Sequence, residues 1–532
     1  MHRIGKQLRL IRNTVLGELY KNYKQMIRTK EYKRTLKSYR LISDKIEKEK
    51  DSKIIKQLKK TKKELNENFE KLRNLHRVTF DFARKYGENI RETTFTLPDA
   101  VTVLSVCEMA WHSMENILFG DSKKPNFYKQ TDLITFQGKQ ADRCIILKHN
   151  EKEESFHISF NNMKFPLIVK KDDLFIQETL SHIVYYIKNG EEMDKQNVER
   201  NQTGLPLLST YRIRNNRIVR KKIRGKIRYF VQIVLEGFPV VKRRKEGSFR
   251  HHYGMGRVAG DIGTQSLAVV TKDQVILKNL AERSENTFSY ERKIYLLQRY
   301  LDRSRRTMNP HYFDEKGRIK KGKKEWKISK RYLKTQEKLR ELHRKAAESR
   351  KYAHNEEVNR LRSMGDELII EQMNIKSLQK KAKEVTVNEK TGKFNRRKRF
   401  GKSIGKRSPG YFIQQAKYRF EITGGTVKEV NTWTFKASQY DHVLNNTSKK
   451  QLSKRWHLLP NGIRIQRDLY SAFLIYCTEN ELQKPNKQNC DTFFNHFLMM
   501  HNQCIEEIKQ NRKLVMNSGI KFNKEKTAEK AV

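Results

Sequence analysis

Residues 260–270, GDIGTQSLAVV, place an aspartate and two glycines directly before an apolar run that is typical of a buried strand. The Asp261 carboxylate at such a position can hold a metal ion for phosphodiester chemistry. It can also begin a phosphate-binding loop of the form Asp-Xaa-Gly-Thr, or simply end a strand with a polar residue. Because short motifs match by chance, the rest of the chain has to decide between these three interpretations.

The composition points to a polyanionic partner. The chain has 532 residues, 36% of them hydrophobic, which is enough for about two to four domains with real cores. Its 114 Lys and Arg against 60 Asp and Glu give a formal net charge of +54 and a pI near 10.0. Self-repulsion of that size opposes compaction, so we expect a polyanion to neutralise it. We expect no membrane association, because the sequence has no apolar stretch of about 18 residues and no signal-peptide pattern.

The cysteines predict neither a disulfide framework nor a zinc knuckle. They are scattered along the chain without a Cys-Xaa-Xaa-Cys pair, at Cys107, Cys144, Cys477, Cys490 and Cys504. That usage suits a reduced cytoplasm.

Residues 1–119 are predicted to form a helical, strongly charged domain. Leu58, Leu65, Phe69 and Leu72 recur at helical spacings and mark one face of a long amphipathic helix. The lysine-rich face of this helix is compatible with exposure to solvent and with contact to nucleic acid, and the sequence does not distinguish these two interpretations. Residues 101–120, VTVLSVCEMAWHSMENILFG, predict a more buried helix that ends at the final glycine.

Residues 120–250 are predicted to be rich in β-structure. Short segments of β-branched and aromatic residues, such as RCIILKH and SFHISF, alternate with Gly, Asn, Asp and Lys turns. The pattern predicts a small antiparallel barrel or sheet with basic edges. Residues 177–204 interrupt it with a predicted helix and loop.

Residues 251–480 are predicted to form an α/β domain with large insertions. GRVAGDIGTQSLAVVTKDQVILKNL indicates two hairpin strands, residues 286–364 form a basic helical insert, and GDELIIEQMNI is a short buried strand. A basic loop that begins KKAKEVTVNEK leads to the helix FIQQAKYRF and the strand TVKEVNTWTF. Residues 481–532 are predicted to form a helical, basic C-terminal tail.

Three carboxylates share an unusual setting, because each adjoins an apolar segment that ought to be buried. Asp261 lies in the first strand, Glu371 ends the apolar run 368–370, and Asp468 precedes LYSAFLIY, a predicted buried helix. A lone buried carboxylate is costly, and three together repel one another unless divalent cations neutralise them. Two Mg²⁺ ions roughly 3.5–4 Å apart suit such a set. Taken singly, Glu371 also fits a structural ion pair and Asp468 a helix N-cap.

A second phosphate loop, which an ATPase of the actin or hexokinase type needs, is incomplete in this chain. EITGGTVKEV offers Gly424, Gly425 and Thr426 without the usual aspartate. It also falls between a predicted helix and strand, where a plain turn uses two glycines anyway. The metal interpretation of Asp261 is therefore favoured over the ATPase interpretation.

GDIGTQSLAVV, ELIIEQMNIKSL and IQRDLYSAFLI resemble the three split RuvC motifs of the TnpB family. These are RNA-guided nucleases of IS200/IS605-type transposons, related to the miniature type V CRISPR effectors. The resemblance implies a ribonuclease H-like (RuvC) nuclease domain over 251–480, in which Asp261, Glu371 and Asp468 are catalytic and bind the metal ions. It further implies that 120–250 is a wedge domain holding guide RNA and a short DNA motif, and that 1–119 is a recognition lobe on the guide–target duplex.

Two features depart from the family pattern. Members usually carry a four-cysteine zinc finger before the third motif, whereas the finger-like segment at residues 438–465 has no cysteine and only His442 and His457. We therefore expect no structural zinc. The third motif also has Tyr470 where Asn is commoner, which affects loading of the target strand more than metal binding.

The basic insert interleaves aromatic residues with cations. Phosphate contacts and base stacking use that mixture, although a single aromatic more often packs on a core. The aromatic positions are Tyr300, Tyr312, Phe313, Trp326 and Tyr332.

The sequence as a whole predicts a multidomain α+β protein that acts as an RNA-guided, Mg²⁺-dependent DNA endonuclease, with Mn²⁺ as an alternative ion. One site would cut both strands of a double-stranded target in turn, next to a short adjacent motif, and leave 5′-phosphate ends. The alternatives are an RNA-guided repressor that does not cleave, and a DNA transposase or nuclease that needs no RNA. We expect a monomer in a prokaryotic cytoplasm, associated with the nucleoid, whose guide RNA comes from a transposon end or a CRISPR array.

Overall fold

The computed structural model describes residues 1–49, 51–120, 122–170, 172–205, 208, 211–237, 242–244, 246–282, 286–315, 317–380, 387, 400–451, 454–479 and 482–522. The chain is a mixed α and β protein with about 52% helix and several small sheets, which agrees with the predicted α+β class. It divides into two compact units, Met1–Val240 and Val241–Val532. None of the described helices is long and apolar enough to cross a bilayer.

The first unit begins with five helices, in the region where the sequence predicts helical structure. They are α1 (His2–Met26), α2 (Lys30–Lys48), α3 (Ser52–Leu75), α4 (Phe80–Thr94) and α5 (Ala100–Leu118). The side chains of Thr29, Asp51, Thr79 and Asp99 accept backbone N–H groups at the starts of α2 to α5. The predicted apolar face of α3 ends at Leu72, which is buried.

Two antiparallel sheets follow in the same unit. Its remaining elements are β1 (Phe136–Gln137), β2 (Ile145–Asn150), β3 (Ser155–Phe160), β4 (Met163–Pro166), α6 (Leu174–Gln202), β5 (Arg212–Ile223) and β6 (Lys226–Glu236). The sheet orders are β1-β5-β6 and β2-β3-β4, and the predicted intervening helix is confirmed as α6. Of the predicted antiparallel barrel or sheet, the sheet is confirmed. The barrel is wrong for the described residues, because β1 and β4, with two and four residues, are too short to close one around the twelve-residue β5.

One hydrophobic core joins the helices and sheets of the first unit. Leu8 and Leu16 of α1, Val106 of α5, Phe136 of β1 and Phe160 of β3 all belong to it and are fully buried. Each such side chain contributes roughly 1.5–3 kcal/mol through burial. The N-terminal helices and the β-rich segment therefore depend on each other for folding.

A five-stranded mixed sheet forms the centre of the second unit. Its strands are β7 (Arg257–Ile262), β8 (Ser266–Val270), β9 (Val275–Asn279), β10 (Glu367–Glu371) and β11 (Thr426–Val430). Their order is β11-β10-β7-β8-β9, with β10 parallel to β7 and β11, and with β7, β8 and β9 antiparallel. The first segment makes three strands rather than the two predicted, because a second tight turn forms where Thr271 N–H donates to Gln274 O.

The other elements of the second unit are helices and short strand pairs. They are α7 (Asn286–Met308), a 3-10 turn (Pro310–Tyr312), α8 (Lys330–Met364), α9 (Ile375–Gln379), α10 (Gly401–Arg407), α11 (Pro409–Ile422), α12 (Thr432–Phe435), β12 (Tyr440–Asp441), β13 (Asn446–Thr447), β14 (Trp456–Leu458), β15 (Arg464–Gln466), α13 (Arg467–Tyr476) and α14 (Lys487–Gln510). Between α7 and α8 of the basic insert, the described residues 309–315 and 317–329 form a connection that contains the 3-10 turn. Most of the predicted basic loop, residues 381–386 and 388–399, and the end of the predicted tail, residues 523–532, lie outside the described residues.

Helices cover both faces of the five-stranded sheet. On one face, Ala259 of β7 and Ile369 of β10 pack with Ile475 of α13. On the other face, Val258 of β7 packs with Phe412 of α11. This division follows from the alternation of side chains along each strand. The predicted C-terminal helix, α14, packs on the same core as α13 and strands β8 and β9.

Candidate active site

Two neighbouring strands place Asp261 and Glu371 next to each other. Ile370 of β10 lies opposite Gly260 of β7, and the two carboxylates follow one position later on each strand. Side chains on adjacent strands at the same register point to the same face of a sheet. Asp261 and Glu371 therefore share the face of Ala259, which α13 covers.

Helix α13 brings the third carboxylate, Asp468, to the same face. The helix is buried on all sides, as its nearly continuous apolar sequence predicts. Its N-cap is Gln466, whose side-chain oxygen accepts the Leu469 N–H at 2.8 Å, so the N-cap interpretation of Asp468 is wrong. Asp468 instead occupies the first turn and is buried, and there the helix dipole favours its negative charge.

Glu371 and Asp468 lie close enough to Asp261 to affect its protonation. The pKa of Asp261 is raised well above its ordinary value by burial and then by repulsion from Glu371 and Asp468. Burial raises the pKa of Glu371 to about 7. The structure thus gathers all three residues that the motifs indicate into one acidic cluster.

Two arginines outside the predicted set of site residues lie beside this cluster. Arg467 Nη2 donates to Asp468 Oδ1 at 3.3 Å, and Arg455 Nη1 lies 3.9 Å from the same oxygen. Both guanidinium groups act against the rise in the pKa of Asp261. Arg467 directly precedes Asp468 in the chain, so its position beside the cluster was predictable from the sequence. No local sequence pattern indicated that Arg455 lies there.

Glu371 does not take the structural ion-pair role that its sequence position also allowed. At the other end of β10, Glu367 pairs with Arg257 at 2.8 Å and with Lys428 at 2.5 Å. Within the described residues Glu371 has no ion pair and accepts no hydrogen bond. Glu367 therefore ties the strands together, and Glu371 remains available for another cation.

The donor set of the cluster fits a hard divalent cation. Mg²⁺ and Mn²⁺ prefer carboxylate oxygens, and the cluster offers three carboxylates. In the part of the chain that the structure describes, no three Asp, Glu, His or Cys side chains converge closely enough to hold an ion as they stand. Mutual repulsion of carboxylates opposes such convergence until a cation is present.

The described part of the finger-like segment, residues 438–451 and 454–465, packs on α13 through its histidines. Tyr470 OH accepts the His442 backbone N–H at 3.1 Å and lies 2.7 Å from His442 Nδ1. The His457 ring contacts the Tyr470 ring, and the His442 ring contacts that of Phe494. Burial lowers the pKa of both histidines, that of His457 to about 4. The Tyr470 side chain is therefore part of the core under α13.

Three aromatic residues of the basic insert, Tyr312, Phe313 and Trp326, pack on one another. In the connection between α7 and α8, the Tyr312 ring lies 5.2 Å from that of Trp326. Arg305 lies over Trp326 and Arg306 over Phe313. These rings form a small core for the connection, so its exposed cations are the better candidates for contact with nucleic acid.

Comparison with known proteins does not identify a family for this chain. No family model matches it, and a search of the curated proteins found no significant match.

Proposed function

We propose that the protein is an RNA-guided, Mg²⁺-dependent endonuclease that cleaves double-stranded DNA at one RuvC-like site. The observation that carries the proposal is the assembly of Asp261, Glu371 and Asp468 from a central strand, its parallel neighbour and a buried helix. Gathering carboxylates in a partly buried place costs stability. Strongly perturbed carboxylates in such a place are typical of catalytic sites.

The sheet of the second unit supports a ribonuclease H-like domain. Three antiparallel strands are followed by two parallel ones, and the central strand β7 carries the first carboxylate. A five-stranded mixed sheet with a helical insert between its antiparallel and parallel parts agrees with the split α/β nuclease domain that the resemblance of the motifs implies. The sheet supports the proposed fold alone, whereas the proposed cleavage chemistry depends on the three carboxylates.

The residues of the chain prepare the cluster for phosphodiester hydrolysis. A pair of divalent ions bound there would supply an activated water and stabilise the leaving oxygen. Arg455 and Arg467 favour the ionised form of Asp261, which is the form that binds a cation. The buried helix α13 holds Asp468 in a fixed position over the strand ends.

The charge of the chain supports nucleic acid as the partner. A net charge of +54 suits a protein that holds both a guide RNA and a DNA duplex. If six to ten phosphates are neutralised, affinity should fall roughly 10³- to 10⁵-fold between 50 and 200 mM salt. The specific choice of an RNA guide comes from the resemblance of the three motifs to the TnpB family.

The test begins with sequencing of the RNA that copurifies with the protein. A DNA duplex matched to that RNA is then incubated with the complex and Mg²⁺, and cleavage is followed on denaturing gels. Asp261→Ala should abolish cleavage and leave RNA and target binding intact. The matched control is Asp273→Ala, an exposed carboxylate at the turn between β8 and β9 of the same sheet, which should cleave normally.

Other outcomes would assign a different function. Guide-dependent target binding without cleavage by the unmodified protein would indicate a repressor. Cleavage that persists after RNase treatment would indicate an RNA-independent nuclease or transposase. Full cleavage by Asp261→Ala would show that the carboxylate cluster is not the active site.

A further inference from the structure

Arg220 is a buried cation without an acidic partner in the first unit. It lies on β5 with 7% of its surface exposed, and its Nε donates to the Ile134 carbonyl at 3.0 Å. Its guanidinium carbon lies 4.8 Å from the centre of the Phe136 ring. Among the described residues, no carboxylate pairs with Arg220 and no acceptor takes a hydrogen bond from its two terminal amino groups. Burial lowers the pKa of Arg220, yet an arginine stays charged in a protein.

The guanidinium of Arg220 lines a small pocket of about 160 Å³ with a basic wall. Helix α1 contributes His2, Lys6 and Arg9 to this wall. The acid in the lining is Asp132, whose carboxylate accepts the Lys129 backbone N–H at 2.8 Å. Cations therefore outnumber anions around the pocket.

The start of α1 is shaped to admit the guanidinium. A Cβ at Gly5 would overlap both terminal amino groups of Arg220 and lie 2.6 Å from its Cζ. The helix begins at His2 without a side-chain cap, so its first turn presents backbone N–H groups and the positive end of the helix dipole. Gly5, the first turn of α1 and the Arg220 guanidinium together form a site that favours an anion.

We propose that this pocket binds a phosphate group in the backbone of an RNA strand, an inference that takes the RNA partner from the proposed function. Pockets for small organic ligands usually measure about 300–1,000 Å³, so a cavity of 160 Å³ suits a single tetrahedral anion better than a nucleoside or a metabolite. A guanidinium with two free amino groups can bind two oxygens of one phosphate. The side chains of His2 and Lys6 are exposed and leave the mouth accessible to a long strand. The pocket does not involve the carboxylate cluster, so its occupancy does not depend on DNA cleavage.

Thermal unfolding of the RNA-free protein without Mg²⁺ tests the anion site. Inorganic phosphate, compared with chloride at equal ionic strength, should raise the unfolding midpoint by about 2 °C or more. Arg220→Met should remove this difference. Gly5→Ala should remove it as well, because the added methyl group displaces the guanidinium while every charge remains. Arg228→Met, which removes an exposed cation from the neighbouring strand β6, should keep it.

RNA binding identifies the source of the phosphate. Fluorescence anisotropy with a 20-nucleotide oligouridine should show about three- to tenfold weaker binding for Arg220→Met and a salt slope lower by about 0.7, the value for one phosphate contact on a single strand. An equal loss with and without a 5′-phosphate on the oligouridine supports a backbone phosphate. A loss confined to the 5′-phosphorylated strand would overturn the backbone assignment in favour of a terminal phosphate. No response of the unmodified protein to inorganic phosphate, or unchanged RNA affinity in both Arg220→Met and Gly5→Ala, would overturn the proposal.

Discussion

Glu371 stands directly beside Asp261 on the neighbouring parallel strand, one position beyond the pair formed by Ile370 and Gly260. The adjacency is a property of strand register, since a slip of one residue would send one of the two carboxylates to the opposite face. With Asp468 on the covering helix, the result is a cluster whose repulsion is only partly offset by Arg455 and Arg467. The metal-free protein should therefore be less stable than the metal-bound one.

Asp261→Asn should stabilise the metal-free protein by an amount on the order of 1 kcal/mol at pH 8. The reason is that the folded state raises the pKa of Asp261, so its ionised form opposes folding at high pH. The free energy of unfolding in urea with EDTA measures this effect. Asp273→Asn is the surface control, and a lower stability of Asp261→Asn than of that control would contradict the explanation.

Mg²⁺ affinity should rise with pH up to about 7, the pKa of Glu371 in the folded protein. Because the folded state raises the pKa of Glu371, its carboxyl group contributes fully to the stability of the metal-free protein below pH 4.5, the ordinary pKa. This contribution is lost as the pH rises through about 7. Below pH 7, binding an ion has to release the proton, so affinity should fall by up to about tenfold per pH unit. Titration of the unfolding midpoint with Mg²⁺ at several pH values gives the curve. Glu371→Gln should weaken Mg²⁺ binding and make the pH dependence shallower, because Asp261 still has a raised pKa and releases a proton on binding. An unchanged curve in that variant would assign the Glu371 proton elsewhere.

His354 should make the second unit sensitive to acid. Its Nε2 donates to the Arg407 carbonyl at 2.7 Å inside the core, and burial lowers its pKa to about 4. Because the pKa of His354 in the folded protein lies below the ordinary value of 6.5, the neutral ring contributes fully to the stability of the second unit above pH 6.5. The free energy of unfolding declines as the pH falls toward 4, by about 3 kcal/mol at most. His354→Gln should flatten this decline in urea unfolding, and the exposed His252→Gln should leave it as it is. Equal acid sensitivity in both variants would be evidence against a role for His354.

Tyr470→Phe should destabilise the second unit by about 1–3 kcal/mol, because the buried backbone N–H of His442 loses its acceptor. The binding of Mg²⁺ should change little, since the Tyr470 hydroxyl bonds to the finger-like segment rather than to the carboxylates. Urea unfolding gives the first quantity and Mg²⁺ titration the second. Tyr476→Phe, on the same helix, serves as the control and should lose less stability.

Sequence patterns predicted the elements whose signals are local. The apolar spacing of α3 and the continuous apolar run of α13 reflect burial that each segment needs wherever its partners lie. Carboxylates next to such runs pointed to the site for the same reason. The sequence patterns failed where the outcome depended on lengths and turns, as with the barrel that β1 and β4 are too short to close.

The net charge, most helices, the strands around Asp261 and Glu371, and the three acidic candidates could be predicted from the sequence alone. Which of these side chains meet depends on the folded structure. It placed Glu371 beside Asp261 through strand register, brought Arg455 to Asp468, and set Arg220 against Gly5 across the first unit. The periodic spacing of apolar residues in a sequence indicates only whether a residue is buried. The identity of its neighbours depends on long-range pairing, which is stabilised by many contacts that are each weak and leave no local trace in the chain.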